Sequence, residues 1–425
     1  MNIFKEVFEM FSSKAHTVGG AVSSGIGSPS WSARDYANFA KEAYITNFVG
    51  FRCINMIAQA VASVPWKVFS QSGTQRIEQE QHPLMRILNR ANPSQGFADF
   101  QLGVTSYLGI AGNSYVERLS PETGPNKGLP LELHTHRPDY IKPQVNSDGV
   151  LLGYELNING KVLKEWPIDP ITGQSDLLHI KFFHPTDDIL GLSPVEPAAK
   201  SIDTSNEALT WNKNLLQNDA RPGTLFIFDQ ALGDTQFERL QKQLNSKVSG
   251  ADNAGKNLIV EGAMKDAKPF GFSPKDMDFL QGNWDLVRQI CLTFGVPPQL
   301  LGVPGDSTFA NFEQAMLYFW EFTIFFYLRL LKEEYNNWFF PDDDKVFIDY
   351  VLDKVPALEP RRKEKWTSVN EATFLTIDEK REMLGLEKTP GGDVVLVSNL
   401  LLPLDMVGVT EEEIDDSENA NDGED

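Results

Sequence analysis

Residues 193–219 read SPVEPAAKSIDTSNEALTWNKNLLQND, and residues 273–294 read SPKDMDFLQGNWDLVRQICLTF. Both open on Ser-Pro, and prolines are tolerated in the first turn of a helix. The first stretch predicts a helical rod of roughly 25 residues, about 40 Å long at the usual rise per residue. Its apolar positions are few, Ile202, Leu209, Leu215 and Leu216, with Ser, Thr, Asn and Asp between them. A helix so polar is expected to lie exposed or to pack against copies of itself along a thin seam. The second stretch carries Leu280, Trp284, Val287, Cys291 and Phe294 at alternating spacings of four and three, a clean apolar seam, and Gly295 stands in the usual stop position.

Between the rods, Arg221-Pro222-Gly223 breaks the first one. The pattern then predicts a strand over Thr224–Phe228, a helix over Thr235–Val248 with a Thr235/Glu238 capping box, and strands over Leu258–Glu261 and Ala267–Phe272. This insertion of about 50 residues is too small to own much core. Two rods bracket it as posts carry a cap. After the second rod, VPPQLLGVPGDS (Val296–Ser307) holds three prolines and two glycines and cannot be regular helix. A long aromatic helix over Thr308–Phe340, a strand over Lys345–Val351 and charged helices over Arg361–Thr373 and Asp378–Leu384 follow.

Upstream, residues 13–34 are rich in Gly, Ser and Ala and read as a flexible arm. Val49, Cys53, Met56, Ala60 and Val64 share one face of a helix over Thr46–Val64, stopped by Pro65. A strand over Trp66–Phe69 and helices over Pro83–Asn89 and Phe97–Leu108 come next. The period then changes to two, with strands over Ser114–Leu119, Leu131–Thr135, Tyr140–Val145, Leu151–Ile158, Lys161–Lys164 and Leu177–Phe183. Asn159-Gly160 marks a tight hairpin. This region reads as an α+β domain with an antiparallel sheet.

The formal net charge of −21 is uneven: from Asp405 onward there are ten acids and no base, whereas Lys200–Asp278 holds ten bases and eleven acids. Tight grip on nucleic acid needs a basic surface, so any contact with DNA has to be loose. AMLYFWEFTIFFYLRLL (Ala315–Leu331) is too short and too charged, with Glu321 and Arg329, for a bilayer span of about 20 apolar residues. No secretory leader pattern opens the chain. Cys53 and Cys291 sit in apolar helical patterns and read as buried free thiols in a reducing compartment.

No catalytic or metal motif stands out. GADNAGKN (Gly250–Asn257) resembles a phosphate-cradling loop, but Asn257 replaces the metal-binding hydroxyl, and the loop follows a helix and precedes a strand, the reverse of the required order. It reads as a flexible turn. His134 and His136 lie two apart without a supporting cluster of Cys or carboxylates. The bases of RRKEK (Arg361–Lys365) and Lys380-Arg381 are interspersed with Glu364, Glu379 and Glu382 and read as solvated helix faces, the alternative being contact with DNA phosphates. Neither an enzyme nor a resident cofactor is expected.

Six segments, in this order, carry a resemblance: NFVGFRCINMIAQAVASVPWKVF (Asn47–Phe69), HPLMRILNRANPSQ (His82–Gln95), GIAGNSYVERL (Gly109–Leu119), HIKFFHPTDDILGLSPVEPAAKSI (His179–Ile202), NDARPGTLF (Asn218–Phe226) and FGVPPQLLGVPGDSTFANFEQ (Phe294–Gln314). The chain resembles the portal proteins of tailed bacteriophages, in particular the HK97-like family. That resemblance implies a portal fold: a flexible arm (1–40), an α+β wing (41–192), stem helices (193–223 and 273–295), an α/β clip (224–272), a tunnel loop (296–307), a tunnel helix with a wing strand (308–358), a helical crown (359–403) and an acidic tail (404–425). Gly302, Val303, Pro304, Gly305, Asp306 and Ser307 would line the channel at the tunnel loop, and Leu280, Trp284, Val287, Cys291 and Phe294 would form the stem seam. Implied partners are a dodecameric ring of the same chain, the terminase large subunit, a head–tail adaptor, the major capsid or scaffolding protein and loosely held double-stranded DNA. The implied location is the capsid vertex of the virion, reached from the host cytoplasm. A membrane channel and a packaging NTPase or nuclease are the alternatives, and both lack their sequence signatures.

Overall fold

Asn47 begins the first long helix by turning its side chain inward: Oδ1 accepts from the backbone N–H groups of Val49 (3.1 Å) and Gly50 (2.9 Å). These donors have no partner within the helix. In the computed structural model this helix, α2, spans Phe48–Ala62 and follows a π-helical α1, Phe39–Thr46, entered through a single turn at Tyr36–Asn38. The structure describes residues 35–73, 75–121, 123, 130–217, 224–228, 264–269, 279–303, 309–341, 345–353 and 355–395. The Gly250–Asn257 loop, the Thr235–Val248 helix, the Leu258–Glu261 strand and the acidic tail lie outside these residues. Asp35 accepts from the Asn38 N–H, and Phe39 and Ala43 are buried, so 35–40 belong to a helical element rather than to a free arm.

After Pro65 come β1 (Trp66–Ser72), β2 (Gln75–Glu78), α3 (Met85–Asn89), α4 (Phe97–Ala111), β3 (Asn113–Leu119), β4 (Glu132–His136), β5 (Ile141–Val145), β6 (Leu151–Ile158), β7 (Lys161–Pro167) and β8 (Leu177–Lys181). The alternation of residues anticipated β3 to β8 but not their partners, and β2 went unread. Instead of one sheet, the described residues form three sheets of three strands each, ordered β4-β3-β8, β5-β6-β7 and β11-β1-β2, where β11 is Val346–Tyr350, besides a two-stranded sheet given below. A period of two tells which residues face a core; it says nothing of which strand lies alongside. The β6–β7 hairpin turns on Asn159 (φ 53°) and Gly160 (φ 80°), the paired positive φ of a two-residue turn matching strand twist.

The helix pair is α5 (Val195–Gln217) and α6 (Phe279–Phe294), and the strands β9 (Thr224–Phe228) and β10 (Met264–Pro269) pair antiparallel between them in sequence. Among the described residues of the proline-rich stretch that follows, a short 3-10 turn forms at Pro298–Leu301. The aromatic helix that follows is built from α7 (Phe309–Tyr318), a π-helical stretch (Phe319–Ile324) and α8 (Phe325–Phe339). Last come α9 (Glu359–Glu371) and α10 (Ile377–Met383), the latter closed by a capping box between Thr376 and Glu379. Among the described residues no helix is long and apolar enough to cross a membrane.

The chain divides between two units, one drawing on Met1–Met56, Val104–Val116 and Thr135–Leu301, the other on Ile57–Gly103, Glu117–His134 and Gly302–Asp425. In the first, Tyr115, Ile141, Tyr154, Trp166 and Leu177 make a core cluster. In the second, Trp66 meets Tyr335 and Tyr350 edge-on at centroid separations of 5.8 and 5.6 Å, and the buried Tyr335 hydroxyl donates to Gln101 Oε1 at 3.1 Å. Asn336 holds the end of α8 against β11, accepting from the Ile348 N–H at 2.7 Å and donating to its carbonyl at 2.9 Å.

Candidate functional site at the root of the helix pair

α5 starts at a place where two backbones touch. A Cβ on Gly112 would lie 2.3 Å from the Leu192 carbonyl oxygen, and one on Gly191 would lie 2.2 Å from the Gly112 carbonyl oxygen. Gly112 has φ +70° besides, so no other residue fits there without strain. Asn113 rivets the crossing: its Oδ1 accepts from the Gly191 N–H at 2.6 Å, and its Nδ2 donates to the carbonyls of Ala111 (2.9 Å) and Gly191 (3.0 Å). Ser193 donates from Oγ to the Ile110 carbonyl (2.6 Å) and accepts from the Val195 N–H (3.0 Å), so the residue that starts α5 also ties it to the end of α4.

Behind this crossing sits His179. Its Nε2 lies 2.9 Å from Asn113 Oδ1 and its Nδ1 lies 3.0 Å from the Tyr154 hydroxyl, while the ring stacks on Tyr115 at 4.4 Å. An amide oxygen can only accept, so Nε2 carries the proton and Nδ1 receives the Tyr154 O–H. Burial, and then the charge of Lys181, pushes the imidazole pKa down to about 3. His179 is therefore neutral across the working range, a structural strut rather than an acid or base.

Further along, the buried half of α5 is more polar than a core helix usually is. Val195, Ala198, Ala199, Ile202, Ser205 and Asn206 are all buried within the chain itself. The expectation that so polar a rod would stay exposed or await another copy is corrected for these turns. Asn206 Oδ1 accepts from Asn47 Nδ2 at 3.0 Å, and its Nδ2 donates to the Glu42 carbonyl at 3.0 Å. A polar side chain with its hydrogen bonds satisfied can be buried at little cost. α6 packs alongside, with Ser201 Oγ donating to Gln289 Oε1 at 2.8 Å and Val287, Ile290, Cys291 and Phe294 buried. Trp284 is half-buried. Of the loop residues, Gly302 (φ +73°) is exposed and Val303 is buried, and Pro304, Gly305, Asp306 and Ser307 lie outside the described residues, as does the side chain of Leu280.

The remaining candidates are absorbed by their surroundings. His134 pairs with Glu132 at 2.9 Å and His136 packs on Trp166 at 5.3 Å, and among the described residues no three His, Cys, Asp or Glu gather as metal ligands. Arg361 pairs with Glu321, Lys363 with Glu359 at 3.1 Å, and Lys380 and Arg381 donate to the carbonyls of Asn370 (3.0 Å) and Glu387 (2.6 Å). An open groove of about 950 Å³ in the second unit is lined by Lys67, Arg76, Lys332 and Asp349 among others, but Asp349 already takes Arg76 at 2.7 Å and Lys332 at 3.0 Å. None of these offers a nucleophile beside a base. What the sequence did not reveal is the crossing at Gly112, Asn113 and Gly191. Its only trace is that two of the segments quoted above, Gly109–Leu119 and His179–Ile202, meet there.

Comparison with known proteins agrees with this architecture. The family profile described as "Phage portal protein" matches residues 49–385. The portal protein of Enterobacteria phage HK97 is 25% identical over 85% of this chain and 84% of its own length. Among solved structures, the neck of an empty gene transfer agent particle, computed with C6 symmetry, superposes with a TM-score of 0.65 at 36% identity, covering 87% of this chain and 98% of that one. The neck of the native particle, computed with C12 symmetry, gives 0.62 at 35% identity with the same coverage.

Proposed function

The chain belongs to the phage portal protein family, and from that membership we propose how its parts serve a DNA channel. As a portal protein it forms the ring-shaped passage through which double-stranded DNA enters and leaves the capsid at one vertex. Proteins of this family are structural. In our reading, α5 and α6 form the stem, β9 and β10 belong to the clip, Val296–Ser307 carries the tunnel loop with Gly302 to Ser307 facing the channel, α7 and α8 form the tunnel helix, and α9 and α10 belong to the crown. Twelve copies close the ring. The clip meets the terminase large subunit during filling and a head–tail adaptor afterwards, and the wing meets the capsid or scaffolding protein. The observation that carries this reading is the match over residues 49–385 together with the rooted helix pair. A net charge of −21 suits a passage that DNA slides through without adhering. Electron micrographs of the purified full chain, averaged down the symmetry axis, test it: closed rings with a central hole are expected, and a population of monomers and dimers at micromolar concentration would count against it.

The kind of particle is favoured by one contrast. Identity is 36% to the gene transfer agent neck and 25% to the HK97 portal over similar shares of the chain. A gene-transfer-agent-like particle is thus the better reading of the assembly this ring serves. Sequencing the nuclease-protected DNA of particles containing this protein separates the two: scattered fragments of the host chromosome support it, and one contiguous viral genome opposes it.

A further inference from the structure

The exposed side of the long aromatic helix changes character along its length. Tyr318, Phe322 and Phe326 face outward in its first half, and Arg329, Glu333 and Asn337 in its second. The three aromatics are 53%, 65% and 49% exposed, and the rings of Tyr318 and Phe322 lie 4.5 Å apart. Behind them Phe319, Trp320, Thr323, Ile324, Tyr327 and Leu328 are buried, so the core on that side is already filled. Positions four apart drift by about 40° per step around an α-helix. The π-helical stretch Phe319–Ile324 takes more residues per turn and reduces that drift, which keeps the aromatics in one line. At about 200 Å² per aromatic side chain, the three leave roughly 300 Å² of aromatic surface in water. An exposed apolar stripe of that size marks a contact site. It supplies over a third of the roughly 800 Å² that each partner contributes to a stable protein interface.

We propose that Tyr318, Phe322 and Phe326 form the apolar centre of one side of the contact between neighbouring copies of this chain. The inference rests on the ring reading given above and deepens it. A closed ring repeats one head-to-tail contact, so each subunit buries two different faces, and this stripe belongs to one of them. It therefore meets a different surface of the next copy rather than the same stripe. Aromatic side chains dominate the binding energy of such contacts. Charge speaks against nucleic acid as the occupant. Stacking surfaces for bases are accompanied by cations that neutralise the phosphates, whereas Asn311–Leu328 holds Glu313 and Glu321 and no Lys or Arg. Arg361, which reaches this stretch from α9, is paired with Glu321.

The test compares the full chain with a Tyr318→Ser, Phe322→Ser double variant by native mass spectrometry over a dilution series. Both side chains are exposed, so the variant should keep the far-ultraviolet circular dichroism spectrum of the parent while needing at least about tenfold more protein to close rings. A second measurement holds even if the double variant misfolds. With Phe322 replaced by the photocrosslinker p-benzoylphenylalanine, irradiated rings should give chain-to-chain crosslinks whose second peptide comes from another segment of a neighbouring copy. A folded double variant that closes rings at the same concentration as the parent would overturn the proposal and leave the ring reading standing. So would crosslinks confined to one chain or captured on DNA. An unsubstituted chain that never forms rings would instead sink the ring reading, and this inference with it.

Discussion

At Gly112 a single hydrogen in place of a methyl decides whether α5 can start where it does. Gly112→Ala places a Cβ at 2.3 Å from the Leu192 oxygen in a left-handed backbone, and should destabilise the chain by about 3 kcal/mol or more, read as a lowered denaturation midpoint. His179 makes a different prediction. Its folded pKa of about 3 lies below the ordinary 6.5 of a free imidazole, so between those values the unfolded chain binds a proton that the folded chain refuses. Stability therefore falls as pH drops below 6.5. This one group should cost about 2 kcal/mol by about pH 5, and His179→Gln should flatten that part of the stability–pH curve whatever it does to the absolute value. Neither residue announces itself in the sequence. His179 stands in an ordinary alternating strand, and its role comes from Asn113, Tyr115 and Tyr154, contributed by other strands.

Helices and strands were legible because their signals are local. The seam of α6, the Asn159-Gly160 turn and the stop at Pro65 each need only a few neighbouring residues to be read. Burial of the first half of α5 was not legible, because its partners Asn47 and Glu42 lie some 160 positions away and leave no periodic trace. Asn206→Ala tests that burial. It leaves Asn47 Nδ2 and the Glu42 carbonyl without their partner and should cost about 1–3 kcal/mol in chemical denaturation. A fully exposed rod would lose less than about 0.5 kcal/mol from the same change. Similarly, the π-helical turns at Phe39–Thr46 and Phe319–Ile324 could not be foreseen, since the apolar spacing that marks a helix is nearly the same for one wider turn.

For the whole molecule, charge is the property read most directly. Residues 408–425 hold nine of the ten acids from Asp405 onward and, of large apolar residues, only Val409 and Ile414, so their removal should leave ring assembly intact, as judged by native mass spectrometry. Loss of rings in that truncation would assign the segment a structural part. Truncation at Leu301 has the opposite expectation, and the reason is the path of the chain. Each of the two units is assembled from three separate stretches, and β1 near the start takes β11 near the end as a neighbour. On a ribosome, Trp66 emerges long before Tyr350, so the edge of β1 stays open until almost the whole protein has been made. The second unit then closes only on a finished chain. A polypeptide cut short by premature termination lacks the strand that completes it and is left to proteases and chaperones. The order of synthesis thus acts as an inspection step, keeping incomplete subunits out of a ring in which one faulty member would compromise the whole.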